Sequence, residues 1–106
     1  HHGLVAEEDG RLTGFLVGLV TDVAPKTGYV HLVGIHPEHR RSGVGRALYA
    51  RFSERSKESG ATRLKAIAHV GHEGARVFHA GLGFEAEEVA DYAGPGRGRM
   101  VFTRAL

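Results

Sequence analysis

Cysteine and tryptophan are both absent from this sequence of 106 residues. The lack of cysteine excludes disulfides, thiolate metal sites and cysteine nucleophiles. No apolar run approaches the roughly 20 residues that cross a bilayer, so we expect no membrane partner. The sequence also lacks an opening charged segment followed by an apolar one, which is the pattern of a secretory signal. These absences predict a cytoplasmic protein.

The excess of positive charge is small and local. The net charge is +2 at pH 7, and basic residues alternate with acidic ones except around Arg40, Arg41 and Arg46. No basic stripe continues beyond that segment, and aromatic residues suited to stacking on bases are few. We therefore expect a small anionic ligand and no nucleic acid.

Histidine is abundant, with eight copies, so a metal site has to be considered. His36 and His39 are three residues apart, as are His69 and His72. However, Arg76 stands where a zinc-binding His-Glu-x-x-His helix would carry its second histidine. We expect no metal.

The pattern of apolar residues predicts a single domain with strands and helices in one sheet. A chain of this length suffices for one compact core. A tight turn is expected at Asp9-Gly10. The order β-β-β-α-β-α-β-β predicts the α/β class, a mostly antiparallel mixed sheet flanked by helices. The predicted strands are 4–8, 12–20, 29–35, 63–70, 84–89 and 100–105, and the predicted helices are 43–59 and 73–80.

A glycine-rich turn joins the third predicted strand to the first helix, with the sequence Arg-Arg-Ser-Gly-Val-Gly-Arg over 40–46. Gly43 and Gly45 leave the first helical amides uncovered, where the helix dipole adds partial positive charge. Arg40, Arg41 and Arg46 add full charges, which predicts a phosphate or pyrophosphate ligand. The alternative is a tight connection with solvated arginines.

Two phosphate-binding motifs do not fit this turn. The Gly-Lys-Ser/Thr of a Walker loop is absent, and a dinucleotide fingerprint would need glycine or alanine in place of Leu48. Residues 33–48 instead resemble the signature of the GNAT N-acetyltransferases, in which Arg/Gln-x-x-Gly-x-Gly/Ala follows a strand; it matches at Arg40, Gly43 and Gly45. Residues 75–85 resemble the family's second helix and its Leu-Gly-Phe exit, and 100–106 its closing strand.

The resemblance implies an enzyme that transfers an acetyl group from acetyl-coenzyme A to a primary amine of a small molecule, a protein or a peptide. Its pantetheine arm would pair with the strand Val33, Gly34 and Ile35. Its pyrophosphate would lie on the turn formed by Arg40, Arg41, Ser42, Gly43, Val44, Gly45 and Arg46.

Three histidines occupy positions that matter in this family. His72 stands where an asparagine commonly touches the cofactor, and His79 stands where a tyrosine protonates the departing thiolate. A histidine can also donate a proton, so His79 is a candidate general acid, with packing as the alternative. His31 is a candidate general base, with a strand histidine bonded to a neighbouring backbone group as the alternative. Strand alternation predicts that it shares a face with Val33 and Ile35.

The family's first strand and first two helices, which usually form one wall of the acceptor site, have no counterpart before Leu4 in this sequence. A fragment, a homodimer that shares walls and a shortened variant without catalysis all remain open. The alternative function is therefore a coenzyme A binding or regulatory module. The loops over 21–28 and 91–99 are expected to border the acceptor site.

Overall fold

The computed structural model describes residues 2–40 and 43–106, in which six strands form one sheet in the order β1-β2-β3-β4-β6-β5. The predictions for Arg41 and Ser42 lie outside these residues. Among the described residues, no helix is long and apolar enough to cross a membrane. The elements are β1 His2–Glu8, β2 Arg11–Val20, β3 Thr27–Ile35, α1 Val44–Glu58, β4 Arg63–His69, α2 Glu73–Gly81, β5 Glu85–Val89 and β6 Arg99–Ala105.

Turn and helix-end residues explain where several strands and helices begin and end. The observed order of elements is the predicted one. Asp9 and Gly10 take positive φ values of 52° and 78° and form the tight turn between β1 and β2. Gly60, with φ 91°, ends α1 in the left-handed conformation that glycine tolerates. A short 3-10 helix, Pro37–His39, was not predicted and lies between β3 and the turn.

Both helices pack on the same face of the sheet. Gly18 of β2 faces the Phe52 ring of α1, and the Phe102 ring of β6 stacks on His79 of α2 at 4.3 Å. The helices also touch each other, because a Cβ placed on Gly45 of α1 would lie 3.0 Å from the Phe78 ring. The opposite face, which we call the open face, carries apolar side chains that include Val5, 67% exposed, and Leu32, 54% exposed.

β3 and β4 are parallel neighbours over only part of their length. Their pairing runs from Thr27 opposite Arg63 to Val30 opposite Ala66. Beyond that point β3 continues to Ile35 and remains paired with β2, while β4 continues to His69 and remains paired with β6. The two strands therefore separate and leave a cleft between residues 31–35 and 67–69, whose closed end, the apex, lies at Val30 and Ala66.

A β-bulge in β3 places His31 on a different face from the one that alternation predicts. Val17 pairs with Leu32 and Gly18 with Val30, so His31 is the extra residue. Its ring lies 6.4 Å from that of Tyr29, on the open face, whereas Val33 pairs with the buried Leu16 on the helix face. The prediction that His31 shares a face with Val33 was wrong, because a bulge breaks the two-residue period.

Candidate functional site

The edge of β3 in the cleft has backbone groups available to a ligand. Since β4 pairs with β3 only as far as Val30 in the described structure, alternate backbone groups of Val33, Gly34 and Ile35 point into the cleft without a strand partner. An extended ligand with amide groups could add to this edge as a further strand does. The pantetheine arm of acetyl-coenzyme A has that chemistry, so the edge fits it.

The N-terminus of α1 lies at the wide end of the cleft. The first helical bond there runs from the Ala47 N–H to the Gly43 carbonyl, so the amides of Val44, Gly45 and Arg46 have no partner within the helix. No side chain caps them among the described residues, and the first turn contains no acid. Partial positive charge thus stays available to an anion such as pyrophosphate.

Gly43 and Gly45 have different roles in this turn. Gly43 has φ 88°, and a Cβ added to it would meet no described atom within 4 Å, so the backbone is open to an approaching ligand. Gly45 is buried, and its missing side chain makes room for the Phe78 ring of α2. The motif therefore combines one glycine for the turn conformation with one for helix packing.

Arg40, Arg46 and the start of α2 complete this end of the cleft. Arg40 and Arg46 are exposed, and the Arg46 guanidinium reaches the Gly81 carbonyl at 3.4 Å. α2 begins at the carboxyl end of β4, so both helix N-termini lie at the same end of the sheet. His72 caps α2, with its Nδ1 accepting the Ala75 N–H at 3.1 Å. A helix cap is thus the contact that the structure gives His72.

His79 lies in the core and not at an exposed surface. It is 6% exposed, its Nδ1 lies 2.7 Å from the Ala75 carbonyl oxygen, and its Nε2 lies 2.7 Å from the Tyr49 hydroxyl. A carbonyl only accepts, so Nδ1 carries the proton and Nε2 accepts from Tyr49. This arrangement favours the packing alternative, because the one N–H of the neutral ring is already bonded.

Burial sets the protonation of this pair. Desolvation lowers the pKa of His79 below its usual 6.5, although the bond to the Ala75 carbonyl partly opposes the shift. Desolvation also raises the pKa of Tyr49, which keeps its hydroxyl protonated. Both groups are therefore neutral near pH 7, and they join α1 to α2 without an ionic contact.

Four side chains gather on the open face beside the apex, and we call them the apex cluster: Tyr29, His31, Lys65 and Tyr92. Tyr29 and Lys65 are register partners in the last part of the parallel pairing. The Lys65 ammonium lies 5.1 Å from the centre of the Tyr92 ring. Tyr92 belongs to the loop between β5 and β6, so that loop reaches over the sheet.

Of the apex cluster, only His31 was predicted as a site residue from the sequence. Lys65 and Tyr29 are separated by 36 positions in the sequence, and no local motif links them to Tyr92. Lysine between two core-facing residues, Leu64 and Ala66, does indicate the opposite face of a strand. This alternation shows on which face of the sheet Lys65 lies. It does not show which residues lie beside Lys65, because they depend on the strand order of the sheet.

A second depression of about 500 Å³ lies between the β1–β2 turn and the short 3-10 helix. Three carboxyl groups contribute to its lining, which disfavours a polyphosphate there. Its lining residues are Glu8, Asp9, Arg11, Leu12, His36, Glu38 and His39.

Comparison with known proteins identifies a family. The model of the acetyltransferase (GNAT) family matches residues 1–84. Over 62 residues the chain is 37% identical to the L-2,4-diaminobutyric acid acetyltransferase of Nocardia farcinica. That match covers 58% of this chain and 32% of the relative, so the chain spans about a third of the relative's length.

Solved structures share the fold at lower identity. An acetyltransferase of the GNAT family from Desulfovibrio desulfuricans has a TM-score of 0.85 at 23% identity, over 98% of this chain and 67% of that chain. An acetyltransferase from Salmonella typhimurium, solved with acetyl-coenzyme A, has a TM-score of 0.78 at 23% identity, over 98% of this chain and 64% of its own. At this identity the similarity establishes a common fold.

Proposed function

Because the chain belongs to the acetyltransferase (GNAT) family, we propose that it transfers an acetyl group from acetyl-coenzyme A to the primary amine of an acceptor. One observation carries the proposal: the gap between β3 and β4 has an uncapped helix N-terminus at its wide end. This combination matches a ligand with two different ends. One end is extended and carries amide groups, and the other end is anionic. The cysteine-free sequence fits a reducing, cytoplasmic location.

The chain's own residues bind the cofactor in this proposal. The amides of Val44, Gly45 and Arg46 hold the pyrophosphate, with the guanidinium groups of Arg40 and Arg46 beside them. The edge of β3 over 33–35 holds the pantetheine arm. When bound, acetyl-coenzyme A supplies the acetyl group as a thioester, whose carbonyl carbon an uncharged amine can attack.

The direction of the cofactor follows from these two contacts. If the pyrophosphate lies at Gly43 and the arm follows β3 backwards, the thioester lies towards the apex. The distance from Ile35 to His31 along the strand is about 13 Å, at about 3.3 Å per residue. The helix face is covered by α1 and α2, so the acceptor reaches the apex from the open face.

In this proposal, His31 takes the proton of the acceptor amine. It is exposed, follows Val30 at the apex and points to the open face beside Tyr29. Histidine is the side chain that most readily takes up a proton near neutral pH. A primary amine is protonated near neutral pH and must lose that proton before it can attack, so a base at this position supports the reaction.

The acceptor is a small primary amine in this proposal. The relative from Nocardia farcinica is named for a diamino acid, and the match to it reaches 37% identity. The apex cluster offers two aromatic rings and one ammonium group within a short distance, which suits a small molecule.

Calorimetry with coenzyme A tests the cofactor site through a matched pair of variants. Gly43→Val and Gly60→Val place the same side chain at opposite ends of α1, at similar φ values of 88° and 91°. The first should weaken binding by about tenfold or more because the side chain covers the amides, which corresponds to about 1.4 kcal/mol. The second should bind like the wild type. Arg46→Gln, which leaves the backbone unchanged, should also weaken binding, by several-fold.

Release of the coenzyme A thiol in the presence of primary amines tests the transfer itself. The wild type should release thiol, and His31→Gln should release it about 10²-fold more slowly with unchanged coenzyme A affinity. Undiminished binding by Gly43→Val would contradict the proposed cofactor site. Binding without turnover of any amine would instead support the binding or regulatory module.

A further inference from the structure

We propose that Lys65 binds a carboxylate of the acceptor, so that the protein selects amines that carry a carboxylate, small diamino acids among them, over simple amines. This inference rests on the proposed acetyl transfer and names the class of its acceptor. It comes from the apex cluster and not from the cofactor turn.

The position of Lys65 follows from the sheet. Its neighbours Leu64 and Ala66 are buried on the helix face, so the Lys65 side chain points to the open face. Its register partner in β3 is Tyr29, one residue before the end of the parallel pairing. An acceptor that reaches the apex from the open face therefore passes the Lys65 ammonium.

The Lys65 ammonium is available to an anion. The side chain is half-buried, and no carboxylate of residues 2–40 and 43–106 lies within 4.0 Å of it. Lys65 pairs with Thr103 of β6, and Thr103 pairs with Glu85 of β5. Glu85 is therefore two strands from Lys65, and their backbones are about 10 Å apart across the sheet. Its observed contact is the Tyr92 ring, which attracts a cation without neutralising it.

The two tyrosines complete a site for a small amino acid. Tyr92 is 41% exposed and Tyr29 is half-buried. Burial raises the pKa of Tyr29, the charge of Tyr92 raises it further, and Lys65 lowers it, so these three groups lie close enough to interact electrostatically. The rings would contact the apolar stem of the acceptor while its carboxylate meets Lys65.

A lysine at this position also disfavours the wrong acceptors. A simple diamine brings only positive charge, which Lys65 repels, whereas a diamino acid brings a carboxylate that offsets this repulsion. A peptide lacks the carboxylate next to its terminal amine, because that carboxyl is part of an amide bond. Lys65 thus attracts a diamino acid, repels a simple diamine and finds no carboxylate to bind in a peptide.

The test observes the tyrosine rings directly, by NMR of protein with ¹³C-labelled tyrosine. The chain has three tyrosines, of which Tyr29 and Tyr92 belong to the apex cluster and Tyr49 is buried as an internal control. Each probe is a diamino acid matched with its decarboxylated diamine: 2,4-diaminobutyrate with 1,3-diaminopropane, and ornithine with putrescine. We expect the diamino acids to shift Tyr29 and Tyr92 and the diamines to shift neither.

Two variants assign this response to Lys65. Lys65→Met, which keeps the length of the side chain but not its charge, should lose the response to the diamino acids. Lys57→Met, at an exposed lysine in the last turn of α1, should respond like the wild type. No response in the wild type, equal responses to both members of a pair or to a peptide amide, or an unchanged response in Lys65→Met would each overturn the inference.

Kinetics separate this inference from the proposed function. The wild type should acetylate diamino acids with kcat/KM about tenfold or more above that of the matched diamines, and Lys65→Met should remove the preference. Acetylation of both classes without preference would overturn the role of Lys65 and leave the acetyl transfer standing. Tyrosine shifts without acetylation would support the carboxylate site and contradict the transfer.

Discussion

At the scale of single residues, the buried pair of His79 and Tyr49 makes a clear prediction about stability. His79→Phe leaves the Tyr49 hydroxyl buried without an acceptor, which should lower the free energy of unfolding by about 1–3 kcal/mol. The double variant with Tyr49→Phe should recover much of that loss, since neither polar group is then left alone. Thermal denaturation of the single and double variants measures both effects.

The same substitution distinguishes packing from catalysis. Because both ring nitrogens of His79 are already hydrogen-bonded, we expect the rate of thiol release per folded molecule of His79→Phe to stay within a few-fold of the wild type. A loss of about 10²-fold at unchanged coenzyme A affinity would instead support His79 as the proton donor to the thiolate.

Acid should destabilise the protein through His79. Its pKa is lowered in the folded chain, so the unfolded chain binds a proton at a higher pH, near 6.5. Unfolding therefore takes up a proton as the pH falls through 6.5, and the contribution of His79 to stability is present above that pH and lost below it. The melting temperature of the wild type should be lower at pH 5 than at pH 7. The melting temperature of His79→Phe should decrease less over the same range. Parallel pH profiles for the two proteins would contradict this assignment.

For single residues, the sequence indicates a conformation that has a local cause, but not a face or a partner that depends on distant positions. Gly43 was expected to leave the first helical amides accessible, and its positive φ results from the turn itself. The face of His31 depends on a bulge, which results from pairing with β2, and the burial of His79 depends on Tyr49, 30 positions earlier. Such contacts between distant positions have no signal in a single sequence.

At the scale of elements, the contact between α1 and α2 depends on Gly45. A larger residue there would meet the Phe78 ring, since even a Cβ would lie 3.0 Å from it. Gly45→Val should therefore lower the free energy of unfolding by about 1–3 kcal/mol, the usual cost of overpacking. Chemical denaturation measures this change.

Two further variants show whether the ring is responsible. Phe78→Leu should offset part of the loss when it is combined with Gly45→Val, because a smaller side chain makes room. Gly81→Val adds the same side chain where a Cβ would meet no described atom within 4 Å, and it should change stability little. If the changes in the free energy of unfolding of Gly45→Val and Phe78→Leu simply add in the double variant, the Phe78 ring is not what excludes a side chain at position 45.

The elements themselves were largely predictable. Apolar periodicity predicted all six strands and both helices within a few residues of their observed ends, because each pattern repeats with the geometry of its element. The short 3-10 helix Pro37–His39 was missed, since three residues are too few to show a period. The separation of β3 from β4 was not visible either, because it depends on where the pairing of two distant segments stops.

At the scale of the whole molecule, the sheet is covered by helices on one face and open on the other. The N-terminus of α1 lies at the carboxyl ends of β3 and β4, and the apex cluster lies on the open face. The two ligands would thus approach from different directions and meet at the apex. In the proposed function, the cleft would hold the cofactor and the apex side chains would select the acceptor.

The binding of coenzyme A in the cleft between β3 and β4 is tested most directly by backbone amide NMR during a titration with coenzyme A. The amides of Val33, Gly34 and Ile35 and those of Val44 to Arg46 should shift together with a single affinity, while the amides of 8–12 beside the second depression stay unchanged. Shifts confined to that depression, or no shift in β3 and α1 at saturating coenzyme A, would contradict the proposed cofactor site.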